Sequence, residues 1–405
     1  MCYTKKKFVF LKEGFLLKYW RGYLIAVIVL ALTTALTMMA DRFSLLVDMI
    51  YPYASRTILS TLAGWSATVD FTLWQVLAVF LVVGLLATIV LMIMLKWNFF
   101  QWLGWILAGA SLIWCLHTGI YGLNNHASSL AEDLRLNVTE YTLGELEEAT
   151  IFFRDKANEM AAQIDRTEAR EAIFKDFDEL AAQAGEGFRN MTYSGEAAVF
   201  AGSLIPVKEL GWAEMYSSMG IMGMTMPITG EAAVNPLIPK VAMPFTMCHE
   251  MAHRMAIAPE RDANLAGFLT CIANSDPQFQ YSGWFMAYRY CYNALASDGS
   301  ADAAVAAARI ATGVNEYLKA DINSYNNFFA VYYNPTASDI ADAANDAYIK
   351  VSGDSSGVKS YGEVCDLMVS WYIQEVLVPT HGETESGFDP YDKDQIDLSD
   401  IMEGR

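Results

Sequence analysis

The sequence is poor in charge, and basic residues are the scarcer kind. Charged residues make up 18% of the 405 residues, whereas 54% are hydrophobic. A chain with this much apolar material can bury a core, which excludes an intrinsically disordered protein. Only 27 residues are Lys or Arg against 46 that are Asp or Glu, and the net charge is −19. Because nucleic-acid-binding proteins need a basic surface to neutralise phosphates, we expect no nucleic-acid partner.

The two parts of the chain differ in their balance of acidic and basic residues. Residues 1–119 hold nine Lys and Arg and four Asp and Glu, while residues 120–405 hold the other 18 and 42. The first part is therefore apolar and slightly basic, and the second is strongly acidic. This asymmetry predicts a membrane domain at residues 1–122, a soluble domain at 123–385 and an acidic tail at 386–405.

Three uncharged stretches in the first part are long enough to cross a bilayer. An α-helix rises about 1.5 Å per residue, so about 20 apolar residues cover the roughly 30 Å hydrocarbon layer. Trp74 and Trp97 stand at the two ends of the second stretch, as in an aromatic belt. Soluble folds rarely need three helices that are apolar on every face. We therefore predict a multi-pass membrane protein in contact with the lipid bilayer, with three N-terminal transmembrane helices at about residues 23–40, 73–95 and 100–121.

Basic residues set the expected orientation of these spans. A cluster of Lys and Arg precedes the first span, and Lys96 lies in the short turn between the second and third spans. The positive-inside rule then predicts a cytoplasmic N-terminus and an extracytoplasmic soluble domain. The first span is longer than the apolar core of a signal peptide, so we expect an uncleaved anchor. The loop at residues 41–70 is then also outside, and Ser44 to Trp65 is apolar enough to lie along the membrane interface.

The soluble domain is expected to be mainly helical α+β with a small sheet. Apolar residues recur with a period near 3.6 between Glu145 and Ile164, which predicts a helix with one face in the core. The segment from Ile228 to Val234 looks extended and has turn signals beside it. Further helices are predicted at Asp298–Tyr317, Asp339–Ser352 and Tyr361–Val376.

The motif His249-Glu250-Met251-Ala252-His253 is the strongest functional signal in the chain. Residues four apart lie on one face of an α-helix, so both imidazoles can reach a single Zn²⁺ ion. Glu250 projects beside them, where a carboxylate can serve as the catalytic general base of a metallohydrolase. Pro244 suits the first turn of this helix, and Ala258-Pro259 ends it. The alternative interpretation is a pair of ordinary histidines on a partly exposed helix.

A hydrolytic zinc site needs a third protein ligand and an open position for water. Glu260 and Asp262 open a second predicted helix directly after Pro259, and both are candidates. Either acid is also explained by the preference of a helix N-terminus for negative charge. Because residues two apart on a helix point about 200° away from each other, both cannot face one metal. His126 and His381 are weaker candidates, since one follows the membrane domain and the other lies towards the tail.

Four segments carry a family resemblance: Gly220–Asn235, Pro244–His253, Asp262–Asn264 and Gly357–Asp366. They are similar to a bacterial membrane-protein family catalogued as domain of unknown function 3810, whose members resemble gluzincin-type zinc peptidases. The resemblance implies a bacterial cell membrane, a zincin-like fold for the soluble domain and a zinc cofactor.

In the family pattern, an acid directly before Ala-Asn follows the second histidine by nine residues, and this position is Asp262 here. The resemblance therefore favours His249, His253 and Asp262 as the metal ligands. The turn favours the same choice, because Asp262 has three residues after Pro259 in which the chain can reverse, whereas Glu260 sits almost inside the turn.

Other parts of the active site are less specific in the sequence. The segment from Thr225 to Asn235 is either an edge strand that pairs with an extended peptide or a plain surface hairpin. Cys248 points about 100° away from His249, which argues against zinc ligation. Disulfides among Cys248, Cys271, Cys291 and Cys365 are permitted outside the cell but not required, and three pairings are open. An oxyanion donor is available from Tyr281, Tyr288, Arg289, Tyr290, Tyr292 and Tyr361.

The sequence favours a membrane-anchored zinc metallopeptidase that hydrolyses peptide or protein substrates on the extracytoplasmic side. The alternative is a zinc-dependent membrane sensor or regulatory protein that does not turn substrate over. Glu250 separates the two interpretations, because catalysis needs it and simple metal binding does not. A transporter is disfavoured, since the interiors of the three spans carry no charged residue.

Overall fold

The computed structural model describes residues 3–193, 198–351 and 363–378, and most of them are helical. The chain divides into two units. One comprises Met1–Ser55 and Leu73–Ala127, and the other comprises Arg56–Thr72 and Ser128–Arg405. Residues 56–72, which lie in the loop between the first two predicted spans, therefore belong to the same unit as the zinc motif. The acidic tail predicted at 386–405 lies outside the described residues.

The first unit supplies the membrane helices. Three helices are long and apolar enough to cross a membrane, which confirms the three predicted candidate spans: Trp20–Arg42, Leu73–Met94 and Phe99–Ile120. The segment predicted to lie along the interface is also helical. The helices of this part of the chain are α1 (Tyr3–Arg42), α2 (Ser44–Ser66), α3 (Leu73–Met94) and α4 (Phe99–Ile120), and α2 continues into the second unit.

Small residues allow α1 and α4 to pack closely. A Cβ atom on Gly22 would lie 2.4 Å from the carbonyl carbon of Gly104, so the two backbones meet at this crossing. Transmembrane helices commonly associate through such residues, because close approach increases van der Waals contact. Where the unit ends, Nδ1 of His126 lies 2.7 Å from the carboxylate of Asp41. His126 therefore has an acidic partner within its own unit.

The second unit is mainly helical and contains one small sheet. Its helices in chain order are α5 (Leu130–Asp133), α6 (Leu143–Ala161), α7 (Phe177–Gln183), α8 (Gly185–Tyr193), α9 (Ala213–Ser218), α10 (Met243–Arg254), α11 (Glu260–Ile272), α12 (Pro277–Ser297), α13 (Ala301–Thr312), α14 (Glu316–Tyr332), α15 (Pro335–Val351) and α16 (Val364–Tyr372). Its strands are β1 (Lys208–Glu209), β2 (Gly223–Met226) and β3 (Glu231–Val234).

The sheet places β2 at an edge. The strand order is β1-β3-β2, with β1 parallel and β2 antiparallel to the central strand β3. The turn between β2 and β3 ends at Gly230, whose φ of 64° suits glycine. A Cβ atom at Gly230 would lie 2.4 Å from the carbonyl oxygen of Leu59. Residues 56–66 of α2 thus pack directly against this hairpin.

An aromatic cluster forms the centre of the helical core. Trp284 of α12 is almost fully buried, and its ring centroid lies 5.2 Å from Phe268 of α11. Phe268 in turn lies 5.0 Å from Trp371 of α16 in an edge-to-face arrangement. Phe153 of α6 completes the cluster. Because α11 is fixed by these rings, the acidic residues in its first turn have a defined position next to α10.

One predicted helix is divided in two. The sequence predicts a single helix at Asp298–Tyr317, but α13 ends at Thr312 with Gly313 as its C-cap. Asn315 then caps α14 by accepting a hydrogen bond from the amide of Leu318. The alanine-rich periodicity continues across this boundary, and the glycine and the asparagine cap break it.

Candidate metal centre

Helix α10 brings the two histidines of the motif together. Pro244 lies in its first turn, as the sequence predicts, but the helix ends at Arg254 with Met255 as its C-cap, before the predicted end at Ala258-Pro259. The imidazole rings of His249 and His253 lie one turn apart, with centroids separated by 4.7 Å. Nδ1 of His253 lies 2.9 Å from the carbonyl oxygen of Ile257, which leaves Nε2 directed away from the backbone. Second-shell bonds of this kind orient metal-binding histidines.

Glu260, at the start of α11, is the acid that faces the histidines. One carboxylate oxygen lies 3.4 Å from Nε2 of His249, and the other lies 3.7 Å from Nε2 of His253. Ligand atoms about 2.1 Å from a tetrahedral zinc ion are about 3.4 Å apart. The observed separations therefore fit this donor set, and a potential ligand atom from each residue lies within 4.8 Å of the others.

The three side chains of this cluster remain in reach of solvent. The side chain of His249 is 12% exposed, that of His253 is 10% exposed and that of Glu260 is 18% exposed. A hydrolytic metal site needs such an opening, because a water molecule has to occupy the position that the protein leaves free.

The structure corrects the expected position of Asp262. Its side chain is buried, and one carboxylate oxygen accepts a hydrogen bond from the amide of Leu130 at 3.0 Å. The other oxygen lies 3.5 Å from Nε of Arg261. The expectation that both acids cannot face one site holds, but Glu260 is the one beside the histidines. Pro259 is the N-cap of α11, so the chain has already reversed when Glu260 begins the helix.

Glu250 lies on α10 beside His249, and its carboxylate contacts β2. The hydroxyl of Thr225 on β2 donates to one of its carboxylate oxygens at 2.7 Å. A Cβ atom on Gly223 would lie 2.5 Å from the other oxygen, so only glycine leaves room for this carboxylate. Burial raises the pKa of Glu250, and the neighbouring histidines offset part of this effect.

The acid and the histidines are electrostatically coupled. Burial lowers the pKa of His253, but the carboxylates of Glu260 and Glu250 and the carbonyl of Ile257 together raise it to about 9. Burial likewise opposes ionisation of Glu260, yet the two histidines hold its pKa far below the usual range. The metal-free cluster therefore favours a charged pair between His253 and Glu260.

Tyr290 is the tyrosine that the structure brings to this cluster. Its hydroxyl donates to Oδ1 of Asn264 at 2.9 Å, and Nδ2 of Asn264 donates to the carbonyl oxygen of Glu260. Burial raises the pKa of Tyr290, and the negative charge of Glu260 contributes to the increase. Tyr281 instead bonds to the carboxylate of Asp321. Tyr361 and His381 lie outside the described residues.

The buried cysteines contact other groups. Cys248 is buried, and its thiol lies 4.0 Å from the carbonyl oxygen of Ala184. The thiols of Cys248 and Cys271 interact with each other, and so do those of Cys291 and Cys365. All four are free thiols in this structure.

Sequence reasoning missed the residues that support Glu250. Thr225 begins the segment predicted as an edge strand or a surface hairpin, and Gly223 lies two residues before it, but only the fold places β2 against α10. The alternation of side chains along β2 puts these two residues on one face, two positions apart. That spacing is a signal, although it becomes specific only when the partner helix is known.

One family model matches most of the chain. A family model described as Protein of unknown function (DUF3810) matches residues 47–369, which is more than three quarters of the chain. No curated protein and no solved structure gives a match. The matched region contains two of the three candidate spans, the edge strand β2, the HExxH helix and the acid at the start of α11. The chain therefore belongs to the DUF3810 family.

Proposed function

We propose that this protein is a membrane-anchored zinc metallohydrolase, specifically a peptidase with a zincin-like soluble domain. The observation that carries the proposal is the convergence of His249, His253 and Glu260, with Glu250 on the same helix. Two histidines and one glutamate form a donor set typical of hydrolytic zinc sites, and it leaves a position for water.

The residues of the cluster would divide the chemistry between them. His249 and His253 would hold the metal through Nε2, and Glu260 through a carboxylate oxygen. A bound zinc ion lowers the pKa of water and polarises a carbonyl group. Glu250 accepts the proton of the attacking water and passes it to the leaving nitrogen. The hydrogen bond from Thr225 holds this carboxylate in place while the proton moves.

The edge strand β2 favours an extended peptide as substrate. In the part of the chain that the structure describes, β2 pairs with β3 on one side, and its other edge has no strand partner. An extended peptide can add to such an edge through backbone hydrogen bonds. Because Gly223 and Thr225 face Glu250, a peptide on this edge would run beside the general base.

Tyr290 is the hydroxyl donor best placed to assist. It lies on α12 near Glu260, and its raised pKa keeps the hydroxyl protonated at neutral pH. This hydroxyl donates to Oδ1 of Asn264, so it would have to leave that acceptor in order to donate to the oxyanion that develops during amide hydrolysis. The three spans and the distribution of basic residues favour an extracytoplasmic location for this site at the bacterial cell membrane.

The test uses the full chain purified in detergent, with metal analysis and cleavage of an unbiased peptide library. We expect about one zinc ion per chain and cleavage of extended peptides. Glu250→Gln should retain zinc but lose about 10²–10⁴-fold in hydrolysis, because the amide cannot accept the proton. Glu363→Gln is the matched control, since this acid pairs with Arg261 on α11 but lies outside the cluster.

Two outcomes would contradict the peptidase proposal. Wild-type activity in Glu250→Gln would exclude the HExxH mechanism. Zinc binding by both proteins without cleavage of any library peptide would favour the sensor or regulatory alternative.

A further inference from the structure

Arg56 connects the loop between the first two candidate spans to the end of the HExxH helix. It belongs to the same unit as α10, and only 7% of its surface is exposed. Its Nε donates to the carbonyl oxygen of Met255 at 3.0 Å, and its Nη1 donates to the carbonyl oxygen of Ala198 at 2.7 Å. The guanidinium therefore caps the C-terminal end of α10, where exposed carbonyl oxygens favour a cation.

The turn that Arg56 contacts also orients His253. The amide of Ala256 donates to the carbonyl of His253, and the amide of Ile257 donates to that of Ala252. The carbonyl oxygen of Ile257 lies 2.9 Å from Nδ1 of His253, within hydrogen-bond distance. A shift of the turn at residues 255–257 would therefore move the partner that fixes the imidazole.

This turn is held in an unfavourable backbone conformation. Ala256 has a φ of 69°, in the left-handed region that residues with a Cβ rarely adopt. Such a conformation persists only when the surroundings determine it. Arg56 supplies one such bond, at the neighbouring carbonyl of Met255.

Packing around the turn leaves little freedom for it to move. A Cβ atom on Gly202 would lie 2.1 Å from Sδ of Met255 and 3.3 Å from Cδ of Arg56. The guanidinium of Arg254, the last residue of α10, donates to the carbonyl oxygens of Ser203 and Ile205. The segment at residues 198–205 is thus bonded to the end of α10 by two arginines, one of them from the loop between the spans.

We propose that Arg56 is a positioning residue for the metal centre, which fixes the turn at residues 255–257 and through it the orientation of His253. This inference rests on the proposed metal site. It predicts that the site is incomplete in a soluble fragment that begins after the third span, because such a fragment lacks the cap.

The test compares variants of the full chain in detergent. Zinc affinity is measured by competition with a chromogenic chelator, and site geometry by the visible absorption of bound Co²⁺. Arg56→Gln should lower zinc affinity by about 10–100-fold, as outer-shell changes at metal sites do, and should change the Co²⁺ spectrum. Arg56→Lys retains the charge but cannot reproduce both bonds of the guanidinium, so it should give an intermediate affinity.

Lys208→Met is the matched control. This buried lysine also bonds the loop between the spans, through the carbonyl oxygens of Ser66 and Phe71, but it contacts the sheet and not α10. The control should lower the thermal stability of the metal-free protein and leave zinc affinity and the Co²⁺ spectrum unchanged. A general loss of packing would instead affect both substitutions alike.

Glu260→Ala separates failure of this inference from failure of the metal site. If Glu260→Ala loses zinc while Arg56→Gln binds it like the wild type with the same spectrum, Arg56 has no positioning role. If Glu260→Ala binds zinc as tightly as the wild type, the proposed set of metal ligands is wrong. Should Arg56→Gln fail to fold, Arg56→Lys decides, and an unchanged affinity and spectrum would overturn the inference.

Discussion

Replacing Glu260 and Asp262 in turn tests the central feature of the site. The carboxylate of Glu260 lies within 3.7 Å of Nε2 of both histidines, whereas Asp262 bonds to the amide of Leu130. Glu260→Ala removes one of three proposed protein ligands. We therefore expect zinc affinity to fall by more than the 10–100-fold that outer-shell changes cause, so by at least about a hundredfold.

Asp262→Ala should lower the stability of the protein and leave its zinc affinity nearly unchanged. The lost bond joins a charged acceptor to a buried amide, and the aspartate is only 1% exposed. Hydrogen bonds to charged groups contribute about 1.5–3 kcal/mol, so unfolding of the metal-free protein should become easier by about 2 kcal/mol. Asp262→Asn keeps an acceptor oxygen for Leu130 and should lose less.

The assays are zinc titration against a competing chelator and thermal unfolding in EDTA, both on the full chain. The expected result is a large loss of affinity for Glu260→Ala, and for Asp262→Ala a shift in affinity of only about threefold or less together with the loss of stability. The reverse ranking of the two affinities would return the ligand to Asp262. Unchanged affinity in both variants would refute the third-ligand assignment altogether.

Two further predictions concern the neighbours of this acid. The pKa of His253 is raised to about 9 by its neighbours, chiefly Glu260, so zinc has to displace a proton from this imidazole at neutral pH. Zinc affinity should therefore rise about tenfold per pH unit up to about pH 9. A plateau of the affinity above pH 7 in chelator competition would contradict this prediction. Gly223→Ala should displace the carboxylate of Glu250, whose oxygen would lie 2.5 Å from the new Cβ, and lower peptide hydrolysis at least about tenfold with zinc content unchanged. Gly144→Ala, where the new Cβ meets only a side-chain oxygen at 3.7 Å, is the control, and equal activity in the two variants would oppose the prediction.

Local signals predicted much of the fold. The three apolar stretches gave the candidate spans, and Pro244 and Pro259 lie at the starts of α10 and α11, as expected. Such features depend on residues close in the sequence, so periodicity and proline are enough to find them. The packing of residues 56–72 with the soluble unit depends on contacts more than a hundred positions apart, and no local pattern indicates it.

The structure places Glu260, and not Asp262, beside the histidines for a specific physical reason. The expectation for Asp262 assumed that the chain reverses after Pro259, which would leave Glu260 inside the turn. The reversal occurs earlier, at Met255–Ile257, where Ala256 adopts a positive φ. An alanine gives no sequence signal for a positive φ, whereas a glycine at this position would have given one. Glu260 can therefore be the first residue of α11 and face the histidines directly.

The opposed directions of the two acids then have a structural consequence of their own. Since residues two apart on a helix point about 200° away from each other, an α11 that turns Glu260 towards α10 has to turn Asp262 towards its other side. On that side Asp262 accepts a hydrogen bond from the amide of Leu130. Leu130 is the first residue of α5 and follows the end of the third candidate span by ten residues. One turn of α11 thus serves both the candidate metal centre and the segment that follows the membrane helices. A substitution that rotated α11 would disturb both together, whereas the two single substitutions separate them.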